Sequence, residues 1–206
     1  MIWIFGDSFS LKYSDKRFIS NLQYYIDWKG YESKLYFELL SEEYDLEYKN
    51  MSRPGMCNRY LFHQFMKEYS QIKSDDIVIF NWTEISRFTY FENSDVRSSL
   101  SKDYNEVFSS KTFDEILVNR KNKQYIEEQY DIINFINQTL KDNRTIHWTW
   151  STNTDIPQDN DYTIIKETRG LIEDYHFGES GHKYLFDVFH NQLKINKNIL
   201  FNLWEK

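Results

Sequence analysis

The 206-residue chain carries 25 Lys and Arg residues against 32 Asp and Glu residues, which gives a formal net charge of -7. This acidic balance argues against a nucleic-acid surface, because phosphate binding relies on clustered Lys and Arg. The single cysteine, Cys57, excludes an internal disulfide. The length suits one domain with a sizeable core, so we predict a single domain over residues 1–206.

The sequence also lacks signals for export, membrane insertion and metal binding. No basic segment, apolar core and cleavage site precede the first predicted strand. We therefore expect no signal peptide, no membrane contact and a cytoplasmic location, or association with a virion if the chain is of phage origin. His176, His182 and His190 follow no known ligand spacing, so neither a metal nor another cofactor is predicted.

The first predicted strand is the apolar run Ile2–Phe5, which ends at Gly6-Asp7-Ser8. Its β-branched and aromatic residues favour a buried strand, and Gly followed by Asp favours a tight turn. The turn leaves the Ser8 hydroxyl at the carboxyl end of the strand, where open α/β sheets bind ligands. A serine at that place lies beside outward-pointing backbone N–H groups, so Ser8 is a candidate nucleophile.

Apolar periodicity and short apolar runs predict the other elements. Strands that alternate with helices indicate an α/β domain with a parallel sheet of about five strands. Residues 86–121 show no clear periodicity and are predicted to be an irregular insertion, and His147, in mid-strand, is predicted to be structural. The predicted helices cover 17–28, 33–43, 59–73, 122–141 and a closing stretch with Tyr184–Leu193. The predicted strands cover 45–49, 76–80 and 145–150, and 162–165 is predicted to be a short fifth strand or an extended segment.

Residues 50–58, between a predicted strand and a predicted helix, form a second candidate part of the site. The Pro54-Gly55 pair predicts a turn in which Gly55 adopts a positive φ, and Asn58 is placed to cap the helix that follows. Backbone N–H groups beside a helix N-terminus suit a developing oxyanion.

The third candidate part is the loop before the closing helix, with Glu173, Asp174 and His176. A carboxylate within three residues of a histidine can accept the hydrogen bond of its Nδ1–H, which leaves Nε2 free to take a serine proton. His176 is therefore a candidate base. His182, a few residues later, is predicted only to satisfy the start of the helix.

Taken together, these segments resemble the sequence blocks of the GDSL/SGNH hydrolase family. The family's nucleophilic serine lies in a Gly-Asp-Ser motif directly after the first strand, as Ser8 does. A common form of its second block is Asn-x-Ser-x-Pro-Gly-x-x-Asn, which residues 50–58 match position by position. Its last block places an Asp shortly before a His at the entry to the terminal helix, as Asp174 and His176 do.

The resemblance implies a three-layer, flavodoxin-like α/β/α sandwich and a serine-dependent ester hydrolase. The implied enzyme is an esterase or O-acetylesterase that forms an acyl-enzyme and acts on a small molecule or on an acetylated glycan, without a cofactor. Ser8 is the implied nucleophile and His176 the implied base. Asp174 is preferred as the acid that orients His176, and Glu173 is the alternative.

The implied oxyanion donors are the backbone N–H groups of Ser8 and Gly55, helped by Thr83 or Asn81. The third block departs from the family here, because Gly-x-Asn-Asp is replaced by Asn81-Trp82-Thr83-Glu84. Loss of one oxyanion donor costs on the order of 10²–10³ in rate.

Two alternatives therefore stay open. One is a catalytically weak or inactive protein of the same fold with a structural or binding role, for example in a virion. The other is a glycan-binding module that uses Trp82, Trp148 and Trp150.

Overall fold

The computed structural model describes most of the predicted domain, and for some segments it describes the backbone alone. The described residues are 1–17, 26–27, 30–83, 88–92, 95–99, 122–150, 164–167, 170–173, 177–195 and 199–201. The segments described by their backbone alone are 88–92, 95–99, 122–125, 164–167, 170–173 and 199–201.

The described ranges contain both strands and helices. The strands are β1 (Ile2–Phe5), β2 (Tyr48–Asn50), β3 (Ile77–Trp82), β4 (Phe88–Glu92), β5 (Asp95–Ser99), β6 (Arg144–Thr149), β7 (Ile164–Glu167), β8 (Gly170–Glu173) and β9 (Ile199–Phe201). The α-helices are α1 (Tyr36–Tyr44), α2 (Asn58–Glu68), α3 (Asn122–Thr139) and α4 (Glu179–Lys194), and short 3-10 helices cover Ser8–Ser10 and Tyr69–Gln71.

The main sheet is parallel and has the strand order β2-β1-β3-β6-β9. β1 lies between β2 and β3, with Ile2 opposite Tyr48 on one side and Ile77 on the other. The chain passes from β1 to one side of the sheet and then crosses to the other side at β3, so the strand order reverses there. Ligand crevices in such sheets lie outside the carboxyl ends of the strands at this reversal. The turn that carries Ser8 follows β1 at this place.

Two apolar clusters cover the two faces of the sheet, because every residue of β1 and β3 is buried and successive side chains point to opposite faces. On one face, strand residues such as Ile4 and Ile79 pack with α1 and α4. On the other face, residues such as Phe5 and Phe80 pack with α2 and α3. The predicted α/β class is confirmed.

The structure differs from the predicted elements at three places. The segment predicted at 162–165 as a short fifth strand or extended segment contains the first residues of the strand β7, but β7 pairs antiparallel with β8 outside the main sheet. β9 pairs with β6 at the sheet edge and was not predicted, because a three-residue strand is too short to show a period. The segment predicted as irregular contains β4 and β5, which pair antiparallel; the rest of it, and most of 17–28, lie outside the described residues.

Candidate functional site

The turn after β1 is packed too closely for any residue but glycine. A Cβ atom on Gly6 would lie 2.9 Å from Asn81 Cβ, 2.9 Å from Ser10 Oγ and 3.0 Å from Ser52 Oγ. The absence of a side chain thus lets the end of β3 and the loop after β2 pack directly against the turn. The next residues form the 3-10 helix, in which Ser8 is 8% exposed.

The Asp7 carboxylate joins three segments at this edge of the sheet. Oδ1 accepts hydrogen bonds from the Phe9 backbone N–H and from Asn81 Nδ2, both at 3.0 Å. Oδ2 accepts a hydrogen bond from Trp150 Nε1 at 2.9 Å. Asp7 is fully buried, and a buried carboxylate needs such donors to offset its lost hydration. Asp7 therefore fixes the turn before Ser8 against the ends of β3 and β6.

The Asn81 side-chain amide donates its hydrogen bonds to groups within this edge of the sheet. Nδ2 donates to Asp7 Oδ1 at 3.0 Å and to Ser10 Oγ at 2.9 Å, which occupies both of its hydrogens. Ser10 Oγ is also hydrogen bonded to Tyr36 OH at 2.8 Å, and burial raises the pKa of Tyr36, so its phenol stays protonated. Asn81 therefore has no free N–H hydrogen left to donate to a developing oxyanion.

The loop after β2 lies against the Ser8 turn. Arg53 N–H donates to the Gly6 carbonyl at 3.0 Å, and Asn50 Nδ2 donates to the Ser10 carbonyl at 2.6 Å. Arg17 Nη1 donates to the carbonyls of Asn50 and Ser52 at 2.8 and 2.9 Å. Gly55 has φ +68°, so the predicted positive φ is confirmed.

Asn58 does not cap α2, which corrects that prediction. Cys57 is the N-cap residue, and Asn58 is the first residue of the helix. Its side chain instead bridges to the end of β3: Thr83 N–H donates to Asn58 Oδ1 at 2.7 Å, and Asn58 Nδ2 donates to the Thr83 carbonyl at 3.0 Å. The Thr83 hydroxyl is buried and has no hydrogen-bond partner among the described residues.

The segment after His176 is brought to the segment after Ser8. The ring of Phe177 packs on the ring of Phe9 with centroids 4.9 Å apart, and Phe9 stacks on Trp150 at 4.4 Å. Ser8 and Phe177 also line one small cavity. Asp174 and His176 themselves lie outside the described residues, and Glu173 is described only as the last residue of β8.

His147 is buried and hydrogen bonded on both ring nitrogens. Trp82 Nε1 donates to His147 Nδ1 at 3.1 Å, so the proton of the neutral ring is on Nε2, which is 3.1 Å from Asn137 Oδ1. Burial lowers the pKa of His147 to about 3. This neutral, fully bonded ring agrees with the structural role predicted for His147.

We expect His147 to make the stability of the protein fall as the pH falls. Its pKa drops from 6.5 to about 3 on folding, so its contribution is fully present above about pH 6.5 and is lost as the pH falls toward 3. The free energy of unfolding should decrease by about 1.4 kcal/mol per pH unit from this group. Urea unfolding at several pH values should show a shallower decrease for His147→Gln than for the wild type or for the exposed-site control His63→Gln. Equal slopes in all three proteins would contradict the assignment.

The glycan platform of three tryptophans is not present. Trp82 and Trp148 are fully buried in opposite clusters, and Trp150 donates to Asp7 and stacks on Phe9. The aromatic side chains at these positions therefore pack the core and the Ser8 turn.

The sequence alone indicates no role for Asp7 beyond the turn and does not reveal its contact with Trp150. One signal was available for Trp150, because it is the last residue of a predicted strand and so is expected at the same sheet edge as Ser8. The described part of the chain contains no helix that is both long and apolar enough to cross a membrane. Comparisons with protein-family models, with curated proteins and with solved structures find no match.

Proposed function

We propose that the protein is a serine-dependent ester hydrolase with the three-layer fold and the catalytic groups of the GDSL/SGNH hydrolases. The observation that carries the proposal is the packing of Phe177 on Phe9. Each of these residues directly follows a proposed catalytic residue, so their contact supports the approach of His176 to Ser8. The location of the Ser8 turn at the reversal of strand order supports the same site.

The proposed reaction has two steps. Ser8 Oγ attacks the ester carbonyl carbon while its proton passes to His176 Nε2, and the same proton then goes to the leaving alcohol as the carbon–oxygen bond breaks. In the second step His176 takes a proton from water, which attacks the acyl-enzyme carbonyl carbon, and gives that proton to Ser8 Oγ as its bond to the acyl group breaks and the acid is released. Asp174 orients the imidazole and stabilises the imidazolium, with Glu173 as the alternative.

The proposed oxyanion donors are the backbone N–H groups of Ser8 and Gly55 and the Thr83 hydroxyl. Thr83 is favoured over Asn81 because both Asn81 Nδ2 hydrogens are already donated, whereas the buried Thr83 hydroxyl has no partner among the described residues. Thr83→Val should therefore lower kcat by about 10²-fold.

A second candidate is a protein of this fold that has lost most of its catalytic power and acts by binding. The third block favours it, because Thr83 stands where the family has its Asn donor and the Asn81 amide is engaged by Asp7 and Ser10. Such a protein would fold normally and hydrolyse activated esters no faster than its Ser8→Ala variant.

Hydrolysis of p-nitrophenyl acetate separates the two candidates. We expect Ser8→Ala and His176→Ala each to lower kcat/KM by about 10³-fold or more. The matched control Ser74→Ala, at an exposed serine, should leave kcat/KM unchanged. Asp174→Asn and Glu173→Gln are compared to identify the acid that orients His176. The variant with the larger loss of kcat/KM marks that acid. Equal hydrolysis by wild type and Ser8→Ala would contradict the proposed enzyme.

A further inference from the structure

The loop after β2 continues the pairing of the main sheet toward the Ser8 turn. Met51 N–H donates to the Ile4 carbonyl at 2.7 Å, and Arg53 N–H donates to the Gly6 carbonyl at 3.0 Å. Among the described strands, β2 lies at the edge of this sheet. The carbonyls of the same two peptide groups therefore point away from β1, to a side where no described strand donates to them.

The Arg17 guanidinium takes the place of that neighbouring strand. Its Nη1 donates to the Asn50 carbonyl at 2.8 Å and to the Ser52 carbonyl at 2.9 Å. These carbonyls belong to the two peptide groups whose N–H groups donate to β1 and its turn. Each of the two peptide groups is thus held from opposite sides, by β1 or its turn on one side and by the Arg17 side chain on the other.

Asp15 fixes the orientation of the Arg17 side chain. Asp15 Oδ1 accepts a hydrogen bond from Arg17 Nε at 2.8 Å, and Asp15 Oδ2 accepts one from Arg17 Nη2. With the bonds to the two carbonyls, four of the five guanidinium hydrogens are in use. The hydrogen bond from Arg17 lowers the pKa of Asp15, so this carboxyl is ionised at neutral pH.

The part of the loop that Arg17 holds leads directly to Gly55. Only Arg53 and Pro54 separate Ser52 from Gly55. The backbone N–H of Arg53 is bonded to the turn after β1, and the ring of Pro54 fixes its φ. The direction of the Gly55 N–H therefore depends on where the Ser52 carbonyl is held.

From these contacts we infer that Arg17 is a positioning residue for ester hydrolysis, which aligns the Gly55 N–H with the developing oxyanion. The inference rests on the proposed hydrolase function, in which the Gly55 N–H is one of the oxyanion donors. Arg17 acts through the loop after β2 and not on the substrate. Because the oxyanion forms only on the way to the transition state, a misaligned donor lowers kcat and leaves substrate binding almost unchanged.

Hydrolysis of p-nitrophenyl acetate by Arg17→Ala tests the inference. We expect kcat to fall by about 10²-fold, as a displacement of about 1 Å costs, and KM to change by less than about 2-fold. Arg17→Lys keeps the charge but not the planar fork, so its kcat should be about 10-fold below that of the wild type. The matched control Arg59→Ala removes an exposed ion pair with Glu128 and should leave kcat and KM unchanged.

An inhibitor that forms an oxyanion gives a second readout. Ser8 Oγ adds to the carbonyl carbon of phenyl trifluoromethyl ketone, the serine proton passes to His176, and the ketone oxygen becomes the oxyanion. The inhibition constant should rise by about 10²-fold in Arg17→Ala and by about 10-fold in Arg17→Lys, in parallel with the loss of kcat. A variant that is only less stable would lose active molecules, but the remaining molecules would keep the wild-type inhibition constant.

Three results would overturn the inference without touching the proposed function: a folded Arg17→Ala that keeps the wild-type kcat, one that keeps the wild-type inhibition constant, and one that raises KM at unchanged kcat. If Arg17→Ala does not fold, Arg17→Lys decides alone, and wild-type values of kcat and of the inhibition constant in that variant overturn the inference. Failure of the proposed function looks different. In that case the wild type hydrolyses the ester no faster than Ser8→Ala, and both ideas are overturned.

Discussion

Replacing Asp7 by alanine is expected to lower the free energy of unfolding by about 3–5 kcal/mol and to abolish ester hydrolysis. The substitution leaves the donors of Phe9, Asn81 and Trp150 without their acceptor in a fully buried place. It also releases the turn that carries Ser8 from the ends of β3 and β6. Urea unfolding and p-nitrophenyl acetate hydrolysis measure the two effects.

A milder variant and an exposed-site control test this expectation. Trp150→Phe keeps an aromatic ring on Phe9 but removes one donor, so it should cost about 1–2 kcal/mol and leave measurable activity. Asp75→Ala, at an exposed aspartate, should change neither quantity. If Asp7→Ala is no less stable than Asp75→Ala, Asp7 does not join these segments.

The second large effect is expected at Gly6. The Cβ of Gly6→Ala would lie within 3.0 Å of Asn81, Ser10 and Ser52, and the nearest atom of Asn81 is its own Cβ, which cannot rotate away. We expect a loss of about 2–3 kcal/mol in stability and, because Ser8 is displaced, about 10²-fold lower kcat.

The matched control is Gly30→Ala, since Gly30 has a positive φ and, apart from its chain neighbours, no described residue has an atom within 4 Å of the added Cβ. That variant should lose about 1 kcal/mol through backbone strain alone and keep its kcat. The account of the close-packed turn is wrong if Gly6→Ala has wild-type kcat and the stability of Gly30→Ala.

The Ser8 turn can be predicted from sequence because its signals are local. The run Ile2–Phe5 is apolar throughout, as a strand buried on both faces must be, and Gly6-Asp7 is a turn signal. Gly55 is similar, because its positive φ follows from a Pro-Gly pair within one loop. The long periodic helix α3 matches its prediction within two residues at its end.

The contacts that complete the site cannot be predicted in this way, because they join residues far apart in the sequence. Asn58 carries the local signal of a helix cap, yet its partner is Thr83, directly after β3 and 25 residues further along the chain. The hydrogen bond from Trp150 to Asp7 joins residues that are 143 positions apart in the sequence. The sequence positions of Trp82 and Trp148, which left a glycan platform open, likewise do not reveal that both side chains are buried in the core.

The central claim, that His176 activates Ser8 as a nucleophile, is tested most directly by labelling with a fluorophosphonate and locating the adduct by mass spectrometry. The account predicts one adduct per folded wild-type molecule, on Ser8, and at least about 10³-fold slower labelling in His176→Ala. A folded wild type that takes up no label, or a label on Ser8 at the same rate without His176, would contradict the claim.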